Sequence, residues 1–169
     1  MRSSYGRADA AVAGEGEAAS KLARIRAFRP EDIPELVSIT EESSQAASWS
    51  GESYEELCTS EGFLAFVSER AGRVSGFVVG RQVADEGEIL NVAVRRENRR
   101  KGEGQALLSA VLEQLHRQGV RRVYLEVRES NETGITFYQE QAFAKTGRRP
   151  GYYREPEEAA VLMEKKLTG

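Results

Sequence analysis

The chain is 169 residues long, a length that a single domain accommodates. Hydrophobic residues make up 40% and charged residues 30%, enough apolar side chain to fill a core and too much for general disorder. Twenty-four basic against 27 acidic residues leave a formal charge of -3, which argues against a nucleic-acid partner held by bulk charge, and one cysteine with one histidine exclude a disulfide framework and a zinc site built on those ligands. No apolar run reaches the roughly 20 residues that span a bilayer, so no membrane partner is expected. The opening MRSSYGRADAAVAGEGEAAS lacks the apolar segment of a secretory signal. The expectation is a cytoplasmic protein from a reducing compartment, with Cys58 a buried or half-buried thiol rather than a nucleophile, since no basic partner sits beside it in sequence.

Residues 1–20, rich in Ala, Gly and Glu without apolar period, read as a disordered tail, and residues 21–169 as the folded domain. Leu22–Phe28 alternates apolar and basic positions and predicts a short strand. Pro30 opens a helix carrying Ile33, Leu36, Val37 and Thr40, with Glu31 and Asp32 favourable in its first turn. A polar loop over Ser43–Ser50, interrupted by Trp49, leads to a short helix over Glu52–Cys58. Phe63–Val67 and Val74–Arg81 predict a hairpin around a turn at Glu69–Arg73, and Glu88–Val94 a further strand. The charged turn Arg95–Gly104 feeds the strongest helix, Gln105–Gln118, whose Leu107, Leu108, Val111, Leu112 and Leu115 form one apolar stripe and whose stop is Gly119. Val123–Val127 alternates strictly as a strand. Asn131–Gln141 is a short helix, and Phe143–Thr146 and Ala159–Leu167 are closing strands joined by a loop over Gly147–Glu158. The fold class is α/β: one domain with a mixed central sheet of about six to seven strands flanked by about four helices.

Three features could carry chemistry. The turn Arg99-Arg100-Lys101-Gly102-Glu103-Gly104 lies between a strand and a helix. Its glycines permit close backbone approach, and the helix start offers N–H groups without intrahelical acceptors, an arrangement suited to phosphate oxygens with a basic rim. A solvated connection between strand and helix has the same composition, and spacing alone leaves both readings open. Glu126 alternates with Tyr124 and Arg128 on the face of its strand opposite Val123, Leu125 and Val127, where the residues alone favour an exposed carboxylate on a solvated face. Tyr138, at helical spacing from Ile135, reads by default as a core aromatic whose hydroxyl finds a partner.

The order of these pieces resembles the GCN5-related N-acetyltransferase (GNAT) superfamily over nearly all of Leu22–Leu167. Arg99, Gly102 and Gly104 match that superfamily's acetyl-CoA signature, with strand and helix on the correct sides. Within the superfamily the chain is most similar to the bacterial ribosomal-protein-alanine N-acetyltransferases, through Leu125-Glu126-Val127-Arg128, Ser130-Asn131, Phe137-Tyr138, Arg148-Arg149-Pro150-Gly151-Tyr152-Tyr153 and Trp49-Ser50. Two departures stand out: Ala142 replaces the family's Gly after the Tyr-bearing helix, and Ala47-Ser48 replaces its Phe-Pro before the Trp.

The resemblance implies direct acetyl transfer from acetyl-CoA as co-substrate, with no metal and no covalent enzyme intermediate. The pantetheine arm would bond backbone groups of Val92, Ala93 and Val94 and the side chain of Asn131. The pyrophosphate would rest on Arg99, Arg100, Lys101, Gly102, Glu103, Gly104 and Gln105. Glu126 would be the base that deprotonates the acceptor amine and Tyr138 the acid facing the departing sulfur. Trp49, Tyr152 and Tyr153 would form the acceptor groove, and Glu155, Glu157 and Glu158 would attract a basic tail. The implied acceptor is the N-terminal α-amine, an alanine, of a protein such as a ribosomal protein. A small amine such as a polyamine or amino-sugar is the alternative acceptor, and a CoA-binding sensor without catalysis is the alternative class.

Overall fold

The structure, a computed structural model, describes residues 22–168; the tail expected over 1–20 lies outside the described residues. The strands are β1 (Arg24–Ala27), β2 (Phe63–Arg70), β3 (Arg73–Val83), β4 (Glu86–Val94), β5 (Arg122–Arg128), β6 (Ala144–Arg154) and β7 (Glu157–Lys166). The helices are α1 (Ile33–Glu41), α2 (Gly51–Cys58), α3 (Glu103–Arg117) and α4 (Glu132–Glu140). All seven strands form one sheet in the order β1-β2-β3-β4-β5-β7-β6. Only the central β4–β5 pair is parallel; its neighbours are antiparallel on both sides. One α/β domain with a mixed sheet and four helices is what the sequence predicts.

The two faces of the sheet bury separate cores. The α3 stripe Leu107, Leu108, Val111, Leu112 and Leu115 packs with Ile135 of α4 on Val78, Ile89, Val123, Leu125, Val127, Val161 and Met163. Burying each of these side chains contributes roughly 1.5–3 kcal/mol. On the other face Ile33, Leu36 and Ile39 of α1 and Tyr54 of α2 cover Ala65, Val67, Phe77, Val79 and Ala93. The glycines Gly76 and Gly80 do not break β3. They bring α3 close, because a Cβ on Gly76 would sit 3.1 Å from Leu107 Cδ1 and one on Gly80 3.1 Å from Val111 Cγ2.

Two expectations are corrected. The β2–β3 turn is not five residues but two, Ala71 (φ 48°) and Gly72 (φ 75°), the left-handed pair that matches the twist of a tight hairpin. The polar residues Glu69, Arg70 and Arg73 mask the strand ends in sequence while still pairing in the ladder. The loop expected over Gly147–Glu158 is instead mostly strand, since β6 runs to Arg154 and β7 starts at Glu157. β6 is an edge strand with nearly every residue exposed, so it needs no apolar alternation, and Pro150 is tolerated there. Its pairing with β7 shifts register between Lys145 and Gly147 and again between Arg149 and Tyr153. Cys58 is half-buried, as expected, and its thiol donates to the Glu55 carbonyl at 3.1 Å.

The replacement of glycine at position 142 has a physical consequence. Ala142 closes α4 in the left-handed region, at φ 66°, where a Cβ is strained. Ala142→Gly is therefore expected to stabilise the protein by about 1 kcal/mol. In a thermal melt this appears as a rise in Tm of roughly 2–4 °C; an unchanged or lower Tm would show that no strain is held there.

Candidate active site

The centre of the sheet comes apart. β4 and β5 pair from Glu86↔Arg122 to Ile89↔Leu125 and no further. Beyond that point β4 continues against β3 to Val94, while β5 continues against β7 to Arg128. The cause is a register shift in the β3–β4 ladder: Val79 pairs with Asn91 and Gly80 with Ile89, leaving Leu90 as an extra residue. A bulge bends its strand and reverses the side-chain phase after it. Ile89 accordingly faces α3, as do Val92 and Val94 after the bulge, whereas Leu90 joins the α1–α2 core. The backbone of Val92, Ala93 and Val94 thus has no ladder partner in β5, which suits an extended polar arm laid between the strands.

At the end of β4 the chain turns into α3. Arg100 (φ 59°) and Gly102 (φ 81°) are both left-handed. A Cβ at Gly102 would meet nothing within 4 Å, so the turn is open on its outer side. The first helical bond runs from Ala106 N–H to the Gly102 carbonyl at 3.0 Å, leaving the N–H groups of Glu103, Gly104 and Gln105 for an outside acceptor. Arg100, Lys101 and Gln105 are exposed on the rim. Arg99 folds back, its Nε donating to the Val94 carbonyl at 2.9 Å. These groups fit a pyrophosphate in charge and in donors.

Glu103 behaves differently from its rim neighbours. Its side chain is 2% exposed and turns inward, accepting from Ser68 Oγ at 2.9 Å, from Ser75 Oγ at 2.7 Å and from Arg70 Nε. Its backbone, not its carboxylate, faces the outer side of the turn. The carboxylate fastens the start of α3 to the β2–β3 hairpin. Gly104 lies against Phe137 of α4, where an added Cβ would be 3.5 Å from the ring.

Across the parting, Glu126 of β5 is held by β6. Arg149 Nη1 donates to its Oε1 at 3.0 Å. The Tyr152 hydroxyl bonds the same carboxylate, which with some burial pushes that phenol up to about 12. The register shift between Arg149 and Tyr153 lets the β6 segment swing over β5. Tyr152 and Tyr153 meet edge to face at 5.0 Å, Arg149 lies 5.6 Å from the Tyr152 ring, and Arg128 sits 4.1 Å over the Tyr153 ring. Tyr138 of α4 packs against Phe137 at 5.2 Å and Phe143 at 5.8 Å. Burial, and then the neighbouring Tyr153, push its phenol up to about 12. Tyr153 is itself raised by burial first and then by Glu126. The structure brings Tyr152 and Arg149 beside Glu126, while Tyr138 packs on the α3–α4 face of the sheet.

Two other expected residues sit differently. Trp49 joins Tyr54, edge to face at 5.4 Å, in the α1–α2 core rather than the tyrosine pair. Asn131 caps α4, its Oδ1 accepting from Gly134 N–H at 2.9 Å. Arg149 and Arg128 were missed as site residues, although period-two alternation already put Arg128 on the face of Glu126. Beside the tyrosines a hollow of about 400 Å³ is lined by Glu129, Arg148, Pro150, Gly151, Glu157, Glu158 and Ala159.

The central sheet is thus parted beyond Ile89 and Leu125, and an anion-ready turn follows β4. The sequence model of the acetyltransferase (GNAT) family matches residues 31–143, and the chain belongs to that family of acetyl-transferring enzymes. It is 30% identical over 141 residues, 82% of this chain and 94% of the relative, to the ribosomal protein bS18-alanine N-acetyltransferase of Escherichia coli K12. The crystal structure of the E. coli ribosomal-protein-S18-alanine N-acetyltransferase superposes with a TM-score of 0.77 at 28% identity, covering 88% of this chain and 97% of that one. The Ard1 structure from Thermoplasma volcanium gives 0.79 at 33% identity, covering 87% and 99%. The NAA60 structure from Arabidopsis thaliana, solved in complex with acetyl-CoA, shares the fold with a TM-score of 0.76 at 19% identity over 88% of this chain and all of that one.

The Glu103 cluster generates a test. In Glu103→Gln the amide keeps one acceptor but loses the charge that Arg70 meets and presents N–H groups to two buried hydroxyls. The variant is expected to lose about 1–3 kcal/mol of stability, read as a lower urea midpoint at unchanged slope. An unchanged midpoint would mean that the cluster contributes nothing to holding α3.

Proposed function

We propose that the 21–169 unit transfers an acetyl group from acetyl-CoA to the N-terminal α-amine of a protein, an N-terminal alanine of a ribosomal protein, in the cytoplasm. The observation that carries this reading is the parting of β4 and β5 beside Glu126, with a helix start at the end of β4 whose N–H groups have no intrahelical acceptors. Similarity to the E. coli bS18-alanine enzyme along 94% of that relative's length supports the acceptor class.

The site residues fit the co-substrate. The turn from Arg99 to Gln105 would hold the pyrophosphate, Arg100 and Lys101 by charge and Glu103, Gly104 and Gln105 by backbone N–H. Val92, Ala93 and Val94 would line the pantetheine arm. Asn131, whose Oδ1 is committed to the α4 cap, has its Nδ2 to offer that arm. Bound there, acetyl-CoA supplies an activated thioester carbonyl.

The acceptor arrives as an ammonium without a lone pair. Glu126 takes its proton, directly or through a water, which frees the amine to attack. Arg149 and Tyr152 hold the carboxylate on the sheet face, and the arriving ammonium substitutes for Arg149 as its cationic partner. The ion pair is more than half exposed on the arginine side, so little free energy opposes that exchange. Tyr138, with its phenol near 12, stays protonated throughout the working range. A thiol ionises near 8.5, so Tyr138 contributes chiefly by donating a hydrogen bond to the departing sulfur while charge develops there. Glu129, Glu157 and Glu158 around the adjoining hollow favour basic residues following the acceptor alanine.

The first test offers acetyl-CoA with a peptide bearing a free N-terminal alanine and, separately, a panel of small amines including spermidine, with products read by mass spectrometry. Acetyl on the peptide α-amine is expected. Acetyl on small amines alone would overturn the protein acceptor while keeping the chemistry.

With the peptide as acceptor, Glu126→Gln is expected to lower kcat by roughly 10²–10⁴-fold while acetyl-CoA affinity by calorimetry stays within about twofold. An equal loss of affinity would make Glu126 structural. Tyr138→Phe is expected to slow turnover by roughly 10²-fold. Because the phenol ionises only near 12, the alkaline limb of the wild-type pH profile is not set by Tyr138 below about pH 11. A near-normal rate in the variant would return Tyr138 to a packing role.

A further inference from the structure

Asn91 follows the bulge residue Leu90 in β4 and is only 6% exposed. It is the one amide in a strand segment, EILNVAV, that is otherwise apolar after Glu88. Its side chain makes a two-way bond with the backbone of Ala47, 44 residues away. Ala47 N–H donates to Oδ1 at 3.3 Å, and Nδ2 donates to the Ala47 carbonyl at 3.2 Å. The side chain thus acts as an extra rung of sheet, joining β4 to the α1–α2 loop where no strand pairs.

The loop is also tied at its start, where Glu42 accepts from Arg95 Nη1 at 2.7 Å and from Arg96 N–H at 3.3 Å, and through Ala46 and Trp49, which pack on the α1–α2 core. Ser43 and Ala46 bond within their own turns, to Thr40 and Ser43 carbonyls. Trp49, two residues beyond Ala47, leans on Tyr54. The Tyr54 hydroxyl bonds Thr40 Oγ1 at 2.9 Å and faces Asn91 as well. Asn91, Tyr54 and Trp49 therefore form one anchor, joined to the parted segment of β4 through the Asn91 amide.

We infer that Asn91 is the positioning residue that fixes the α1–α2 loop, and with it Trp49, as the acceptor-side wall over the parted sheet. The side-chain chemistry is specific. Only an amide of this size offers donor and acceptor together; aspartate can only accept, and leucine does neither. The inference rests on the proposed acceptor groove, but the position of the loop can be measured without turnover, because Trp49 is the chain's single tryptophan.

The experiment compares wild type with Asn91→Leu and the isosteric Asn91→Asp, the second retaining the volume should the first fail to fold. Three quantities are read: the Trp49 emission maximum, acetyl-CoA affinity by calorimetry, and the KM for the alanine peptide. Both variants are expected to shift Trp49 emission to the red and to raise peptide KM about tenfold or more, with acetyl-CoA affinity within about twofold of wild type. Unchanged emission in the folded variants would overturn the clasp itself. Shifted emission with unchanged peptide KM would overturn the loop's role as acceptor wall. A parallel loss of acetyl-CoA affinity would overturn positioning in favour of general damage to β4. If wild type acetylates no alanine peptide, the acceptor reading fails and with it the acceptor-wall role, and the emission shift still decides whether Asn91 holds the loop.

Discussion

The separation of β4 from β5 beyond Ile89 and Leu125 is the constraint from which the rest of the site follows. A sheet gains by continuing its ladder, and backbone groups left without partners are costly unless something else meets them. The parting is sustained because each strand keeps its other neighbour: β4 stays on β3 and β5 on β7 to their ends. The extra residue Leu90 supplies the bend, and the cores on the two faces hold it open, α3 and α4 from one side and α1 and α2 from the other. A gap forced open in this way offers polar backbone to a ligand without requiring any segment to unfold.

The second demand is electrostatic. An anion at the start of α3 is favoured by the helix dipole and by N–H groups without acceptors. A carboxylate at the first helical position would compete for the same ground if it faced outward. Glu103 avoids this by pointing inward to Ser68, Ser75 and Arg70, so its charge is met beneath the turn while Arg100 and Lys101 set the sign above it. The same residue type on the rim of the turn would repel a phosphate; buried and partnered, it stiffens the cradle.

What could be read from the sequence and what could not divide along physical lines. The α3 stripe and the alternation of β5 were legible because their periods are 3.6 and 2, and the turn from Arg99 to Gly104 because glycine and charge cluster there. β6 was not legible: an edge strand with exposed side chains on both faces carries no pattern, and Pro150 and two glycines imitate a loop. The bulge was hidden because Ile89, Leu90, Val92 and Val94 are all apolar, so a reversal of phase leaves no mark. Partners distant in sequence were hidden for another reason. Nothing near Glu103 announces Ser68 and Ser75, and nothing near Glu126 announces Arg149. Asn91 did leave a sign, a lone amide in an apolar strand, whose meaning appears only when Ala47 is set beside it.

The two halves of the proposed reaction are built on unequal supports. Glu126 and Tyr138 stand on a central strand and on a helix packed into the larger core, so their separation is set by buried apolar contact. The proposed acceptor side is assembled from an edge strand with two register shifts and from a loop tied to β4 by the Asn91 amide and to the residues just past β4 by Glu42. Ion pairs such as Arg149–Glu126 and Arg148–Glu129 are exposed and individually weak. Substitutions in β6 therefore reach Glu126 as well as the proposed acceptor side, through Arg149 and Tyr152, whereas the ties of the α1–α2 loop run to Asn91, Arg95 and Arg96. The buried apolar contacts of the sheet and helices are those of the family fold, whereas the proposed acceptor side rests on exposed pairs at its edge.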